Sequence, residues 1–138
     1  MKQTIFNSIA IFAVLSTASA QTKAPAAVAT AFNAKFAEAK NIKWEKENAH
    51  EYEAAFQLNG IKCAANFTEK GEWLETESPI TFAELPDAVQ KAFTVAHKKA
   101  KIKVVEKIEM ATGVTHYEVE MKGGKEVLYN ADGTLVKK

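Results

Sequence analysis

Two stretches 62 residues apart carry the same pattern and limit the folds open to this chain. The first is Asn66-Phe-Thr-Glu-Lys-Gly-Glu-Trp73 and the second is Leu128-Tyr-Asn-Ala-Asp-Gly-Thr-Leu135. Each places an aromatic (Phe67, Tyr129), a glycine four residues on (Gly71, Gly133) and a large apolar residue two beyond that (Trp73, Leu135). This is the signature of a strand, a glycine turn and a returning strand. A second pair stands upstream at an offset of 61: Pro25-Ala-Ala-Val-Ala-Thr-Ala-Phe32 and Pro86-Asp-Ala-Val-Gln-Lys-Ala-Phe93. Proline at a first-turn position followed by spaced apolar residues reads as a helix start. Two copies of a unit of roughly 60 residues are too few and too long for most solenoids. The expectation is an α+β domain made of two tandem units, about 25–77 and 86–138. Each is a helix followed by an antiparallel meander of about four strands, and the units share one sheet with both helices on one face.

In the first unit, Val28, Phe32, Phe36 and Ala39 form one apolar stripe on a helix of about 15 residues. Ile42 and Trp44 then alternate with Lys43 and Glu45, as in a half-buried strand. Tyr52, Ala54, Phe56 and Leu58 share one face of a second strand, Asn59-Gly60 makes a tight hairpin, and Ile61, Cys63, Ala65 and Phe67 line the third. A short fourth strand spans residues 72–77, and Ser78-Pro79 breaks the pattern. Thr81 and Glu84 have capping-box spacing within the connector. The second helix carries Val89, Ala92, Phe93, Ala96 and Ala100. Strands follow over residues 102–110, around Tyr117, Val119 and Met121, over 126–129, and over 134–137. The adjacent apolar pair Val104 and Val105 marks the first of these as irregular. Which sheet face stays open is left undecided, because a one-residue slip exchanges the two faces.

The N-terminus reads as a cleaved signal peptide over residues 1–20: Lys2, an apolar run from Ile5 to Leu15, and Ala18-Ser-Ala20 as a small-x-small cleavage site. The run falls well short of the ~20 residues of a spanning helix, so no membrane span is expected after cleavage. A single domain of 118 residues, 21–138, would remain. All 18 basic residues are lysines, and without Lys2 they balance the 17 acids. A neutral chain with interspersed charges is a poor match for nucleic acid. Cys63 is the one cysteine. An internal disulfide is therefore excluded, and its apolar neighbours favour a buried small hydrophobe over a reactive thiol.

No catalytic constellation is visible. His50, His97 and His116 are scattered without metal-ligand spacing, no Gly-x-Ser-x-Gly occurs, and Gly123-Gly124 is not a phosphate loop. The strand acids alternate with apolar residues, as solvent-facing side chains do. Tyr52, Phe67, Trp73, Tyr117 and Tyr129 fall in strands, mostly as core, with one or two available as anchors on the open face. The sequence thus assigns no catalytic, cofactor-binding or metal residue, calls for no cofactor, and leaves the binding residues unknown.

The series Pro25-Ala-Ala-Val28, Phe32, Phe36, Ile42-Lys-Trp44, Tyr52-Glu-Ala-Ala-Phe56, Phe67 to Trp73, Leu85-Pro-Asp-Ala-Val89, Tyr117-Glu-Val119 and Leu128 to Leu135 resembles the PepSY-like family. These are small exported proteins of Bacteroides-type bacteria, related in fold to the β-lactamase inhibitor protein. The resemblance implies tandem α+β repeats with a concave antiparallel sheet, and a role in binding or inhibiting secreted proteins. No functional residue carries over with it, and the lone Cys63 departs from the inhibitor's disulfides. The expectation is a non-enzymatic periplasmic or secreted binding module that meets a protein partner, such as a secreted hydrolase or peptidase, through the sheet face. The alternative is a periplasmic small-molecule or metal binder using a crevice between helices and sheet.

Overall fold

A computed structural model describes residues 22–137. The expected signal segment lies outside the described residues. The first helix, α1, spans Ala26–Lys35. The Pro25 carbonyl accepts the Ala29 N–H at 3.0 Å. A proline suits this position because its missing N–H would have no intrahelical partner. Helix α1 is shorter than expected. Phe36 leaves helical geometry as the closing residue, and with Ala39 it packs on the core from beyond the helix end. Four strands follow: β1 (Lys40–Lys46), β2 (Glu51–Leu58), β3 (Ile61–Thr68) and β4 (Trp73–Pro79). Ser78-Pro79 does not break β4, which runs through Pro79 in register with the next strand. A single 3-10 turn, Phe82–Glu84, carries the Thr81–Glu84 capping box, with the Thr81 N–H donating to Glu84 Oε2 at 2.6 Å. Helix α2 (Asp87–Ala96) then leads to β5 (Ile102–Met110), β6 (Thr115–Met121) and β7 (Glu126–Asn130). Helix α2 ends before Ala100. The expected last strand at 134–137 is reduced to one bridge, Tyr129 with Leu135.

The described strands form one antiparallel sheet in chain order, β1 to β7; short hairpins join the neighbours except β4 and β5, which are linked through α2. Both helices lie on the same side, each over its own core. Val28 and Phe32 of α1 pack with Ala54, Phe56, Cys63, Ala65 and Phe67. Phe32 meets Trp44 and Phe56 edge-on at centroid distances of 5.2 and 5.0 Å, a favoured arrangement for aromatic quadrupoles. Val89 and Phe93 of α2 pack with Val105, Val119, Met121 and Tyr129. Between the cores runs a polar seam on the helix side of β4 and β5, where Trp73 Nε1 donates to Thr76 Oγ1 at 3.0 Å and Lys107 pairs with Glu109 at 3.3 Å. His97 occupies the place in α2 that Phe36 has in α1: it closes the helix and lies 5.0 Å from Phe93, as Phe36 lies 5.2 Å from Phe32. Cys63 is buried, with Ser78 Oγ donating to its sulfur at 3.7 Å.

Two bulges decide which side chains face away from the helices. Between Asn66 and Phe67 the pairing with β4 shifts, so that Phe67 faces Trp73 while Asn66 faces Glu75. Trp73 therefore stays in the core and Glu75 points to the opposite face, although they are two residues apart. A second shift, between Ile102 and Val104, does the same in β5: it keeps Ile102 on the core side with Val105, while Val104 faces the open side. Each bulge inserts a residue and reverses the alternation beyond it.

Candidate functional site: an acidic open sheet face

The face away from the helices can be read row by row across the strands. One row crosses all seven: Lys43, Ala55, Ala64, Glu77, Ile108, His116 and Asn130. The row beside it holds Glu45, Glu53, Asn66, Glu75 and Met110. On the other side come Pro79, Glu106, Glu118 and Leu128, and then Val104, Glu120 and Glu126. Glu51, opposite Thr68, completes the set. Nine glutamates thus share one face on which the registers place three lysines, Lys40, Lys43 and Lys62. A fourth cation reaches in from the β5 bulge: Lys103 Nζ lies 2.8 Å from Glu120 Oε1.

Several of these carboxylates are withdrawn from water. Glu75 and Glu106 are 8% and 9% exposed, and Glu118 and Glu120 are 6% and 5%. The floor between them is apolar, with Ala64 and Ile108 fully buried. Packing charges of one sign into a dehydrated site favours their protonated forms. Burial first, then the neighbouring glutamates, pushes Glu53, Glu75 and Glu106 up to about 7. Glu77 sits between Ala64 and Ile108 and is pushed up to about 9 by burial, then by Glu106, Glu75, Glu53 and Glu118. Burial and the neighbouring carboxylates act in the same direction on Glu53, Glu75, Glu77 and Glu106.

The expectation that strand acids are simply solvent-facing is corrected here: the local alternation is right, but the sheet gathers the acids into one partly buried field. The expected aromatic anchors are also corrected. Tyr52, Phe67, Trp73, Tyr117 and Tyr129 all pack on the helix-side cores, and the larger aliphatic side chains on the open face are Val104, Ile108, Met110 and Leu128. The histidines are not brought together: His50 sits in the β1–β2 turn beside Glu69 at 3.3 Å, His97 closes α2, and His116 lies on the open face. Among the described residues, no three His, Cys, Asp or Glu side chains are grouped so as to hold a metal ion. A shallow cavity of about 550 Å³ is lined by Glu38, Lys40, Gln57, Asn59 and Gly60 at the β2–β3 hairpin end. None of these residues belongs to α1 or α2, so the cavity is not a crevice under the helices.

Fold and face together describe a two-layer domain with one layer of helices and a sheet whose other side carries the glutamates. The family described as "Putative beta-lactamase-inhibitor-like, PepSY-like" matches over residues 15–62 and 50–137. The chain belongs to this PepSY-like family. No curated protein matches it. Among solved structures, it is similar to one described as a putative periplasmic protein from Bacteroides eggerthii, at 22% identity and a TM-score of 0.76, covering 84% of this chain and 88% of that one. A DUF2874 family protein from Bacteroides ovatus shares 20% identity with a TM-score of 0.73, covering 84% and 86%. A BLIP-like protein from Bacteroides fragilis shares 24% identity with a TM-score of 0.69, covering 84% and 85%. At these identities the likeness is one of fold.

Proposed function

We propose that this chain is a non-enzymatic binding module, exported to the periplasm or beyond, that recognises another protein through the open face of its sheet. The observation that carries the reading is the burial of several like-charged carboxylates on that face. A sheet that served only to support two helix-side cores would gain stability from neutral or mixed-charge residues at Glu53, Glu75, Glu77 and Glu106. The cost is intelligible if a second surface completes the site. The family description points to inhibition or regulation of a secreted hydrolase or peptidase as the role. The description of the Bacteroides eggerthii structure as periplasmic supports the compartment, as does the sequence of residues 1–20. We also read the two halves as copies of one unit. The paired helix starts, the paired glycine turns and the two separate cores support that reading.

The test is affinity capture from envelope and secreted fractions with three forms of the protein: the native chain, an open-face variant carrying Met110→Trp, and a helix-side variant carrying Lys91→Trp on the exposed surface of α2. The reading expects a protein enriched by the native and Lys91→Trp forms and lost with Met110→Trp. Enrichment that survives Met110→Trp and disappears with Lys91→Trp would place the binding surface on the helices instead. Turnover of a substrate by protein repurified to constant specific activity would overturn the non-enzymatic reading.

A further inference from the structure

The two edges of the sheet are finished differently. On β7 the chain covers its own edge: the Asn130 N–H donates to the Thr134 carbonyl at 2.8 Å, the Val136 N–H donates to the Leu128 carbonyl at 3.0 Å, and Tyr129 bridges Leu135. At the other edge, β1 pairs with β2 alone among the described residues. Its counterpart in the second half, β5, follows α2 as β1 follows α1, and is paired on both sides, with β4 and with β6. An uncovered edge strand presents a row of N–H and C=O groups to any strand that fits it.

The β1–β2 turn shows which groups these are. The Glu47 N–H donates to the Glu51 carbonyl at 3.0 Å, one step beyond the Lys46–Tyr52 partners. Hydrogen-bonded pairs alternate along antiparallel strands, so Lys43 and Glu45 turn their backbone groups toward β2, while Trp44 and Lys46 turn theirs outward. Trp44 is half-buried and its ring meets Phe32 edge-on, so the edge carries an aromatic at the rim of the first core. On the other face Lys43 and Glu45, of opposite charge, stand exposed. Glu45 lies directly opposite Glu53 on β2, and like charges so placed are destabilising.

We propose that β1 is an interface for a second copy of this chain: two β1 strands pair antiparallel about a two-fold axis at Trp44 and join the two sheets edge to edge. This centre sets the outward N–H and C=O of Trp44 against those of its copy, with Lys46 opposite Ile42 on either side. It also sets Lys43 of each chain opposite Glu45 of the other, which offsets the repulsion between Glu45 and Glu53. The neighbouring centres lack this match: pairing about Lys43 opposes two lysines, and pairing about Glu45 opposes two glutamates. Lysine on an edge ordinarily guards against indiscriminate pairing; here the charges reject the neighbouring registers and admit one. The axis stands perpendicular to the joined sheet, so both helix layers lie on one side and the two glutamate-bearing faces continue into each other on the other. An isologous contact of this kind closes as a dimer, and it holds whether or not the open face takes a protein partner.

The experiment is sedimentation equilibrium of the exported protein purified from the envelope fraction, from micromolar to millimolar concentration. The native chain is compared with Lys43→Glu, with Glu45→Lys, with an equimolar mixture of these two, with the double variant Lys43→Glu, Glu45→Lys, and with Lys125→Glu in the exposed β6–β7 turn as a control. The native and Lys125→Glu proteins should dimerise. Each single reversal turns two opposite-charge contacts into two like-charge ones and should weaken dimerisation about tenfold. The mixture and the double variant set lysine against glutamate again and should both recover it. That recovery separates lost pairing from lost folding, since the mixture contains only the two weakened chains. A native protein that stays monomeric at every concentration overturns the proposal. So does a dimer that neither single reversal weakens, one that Lys125→Glu weakens as much, or one that both reversals weaken and neither the mixture nor the double variant restores.

Discussion

Replacing Gly71 or Gly133 by alanine should destabilise the protein far more than the same change at Gly113. All three glycines have positive φ, at 88°, 83° and 83°, where an L residue costs about 1 kcal/mol or somewhat more. They differ in what a methyl group would meet. A Cβ on Gly71 would lie 2.6 Å from the Ala27 carbonyl oxygen and 3.0 Å from its carbon. On Gly133 it would lie 2.5 Å from the Ala88 oxygen and 2.9 Å from its carbon. Those are backbone atoms in the first turns of α1 and α2, so relief requires moving a helix or a turn rather than rotating a side chain. At Gly113 nothing lies within 4 Å. Overpacking of this kind costs typically 1–3 kcal/mol, so Gly71→Ala and Gly133→Ala should each lose about 2–4 kcal/mol, against about 1 kcal/mol for Gly113→Ala. For a domain of this size each kcal/mol moves Tm by about 4 °C. Thermal unfolding followed by circular dichroism should therefore show drops of roughly 8–16 °C at the two seats and about 4 °C at Gly113. Equal drops at all three positions would refute the argument that the repeated glycines exist to seat the helix starts.

Three further outcomes follow from the same structure. Stability should decline between pH 5 and pH 8. Glutamates whose folded pKa is raised bind more protons folded than unfolded, so their contribution is fully present below about 4.5 and is lost as pH rises through about 7 for Glu53, Glu75 and Glu106, and through about 9 for Glu77. Urea midpoints across that range should show the decline, and Glu77→Gln should raise the midpoint at pH 8 and flatten the curve; a midpoint rising with pH would contradict the burial of these groups. Tyr129→Phe should leave Tm unchanged or raise it, by up to about 1 kcal/mol in stability, because the buried Tyr129 hydroxyl has no hydrogen-bond partner among the described residues. A loss of that size instead would show that the hydroxyl has an acceptor. The intact mass of the protein from the envelope fraction should correspond to a chain beginning at Gln21, and a mass retaining residues 1–20 would exclude signal cleavage there.

Local chemistry made much of the fold legible. Asn59-Gly60 adopts the two positive φ values, 51° and 81°, that a two-residue hairpin needs. The alternation of Tyr52, Ala54, Phe56 and Leu58 put them on one face of β2, the face that packs on the first core, and the two proline helix starts were placed within a residue. The misses were of another kind. Phe36 belongs to the α1 stripe by spacing but lies beyond the helix end, since apolar periodicity does not record where the backbone leaves helical geometry. The last stretch pairs at Leu135 alone. The site was less legible than the fold. Glu53, Glu75, Glu77 and Glu106 each look like an ordinary outward-facing strand residue, and nothing near any one of them in sequence announces the others. What brings them together is strand register, and in particular the bulge opposite Phe67 that turns Glu75 and Glu77 away from Trp73. A bulge is a property of paired strands, so the alternation within one strand cannot reveal it.

The account rests on the claim that the open sheet face is where a protein partner sits. The most direct measurement is chemical labelling of carboxylates, read by mass spectrometry, on the free protein and on its complex with the captured partner. Labelling of Glu45, Glu51, Glu53 and Glu126 on the open face should fall on complex formation, while labelling of Glu38, Glu84 and Asp87 on the helix side should stay as it was. Protection of the helix-side acids with an unchanged open face would contradict the claim.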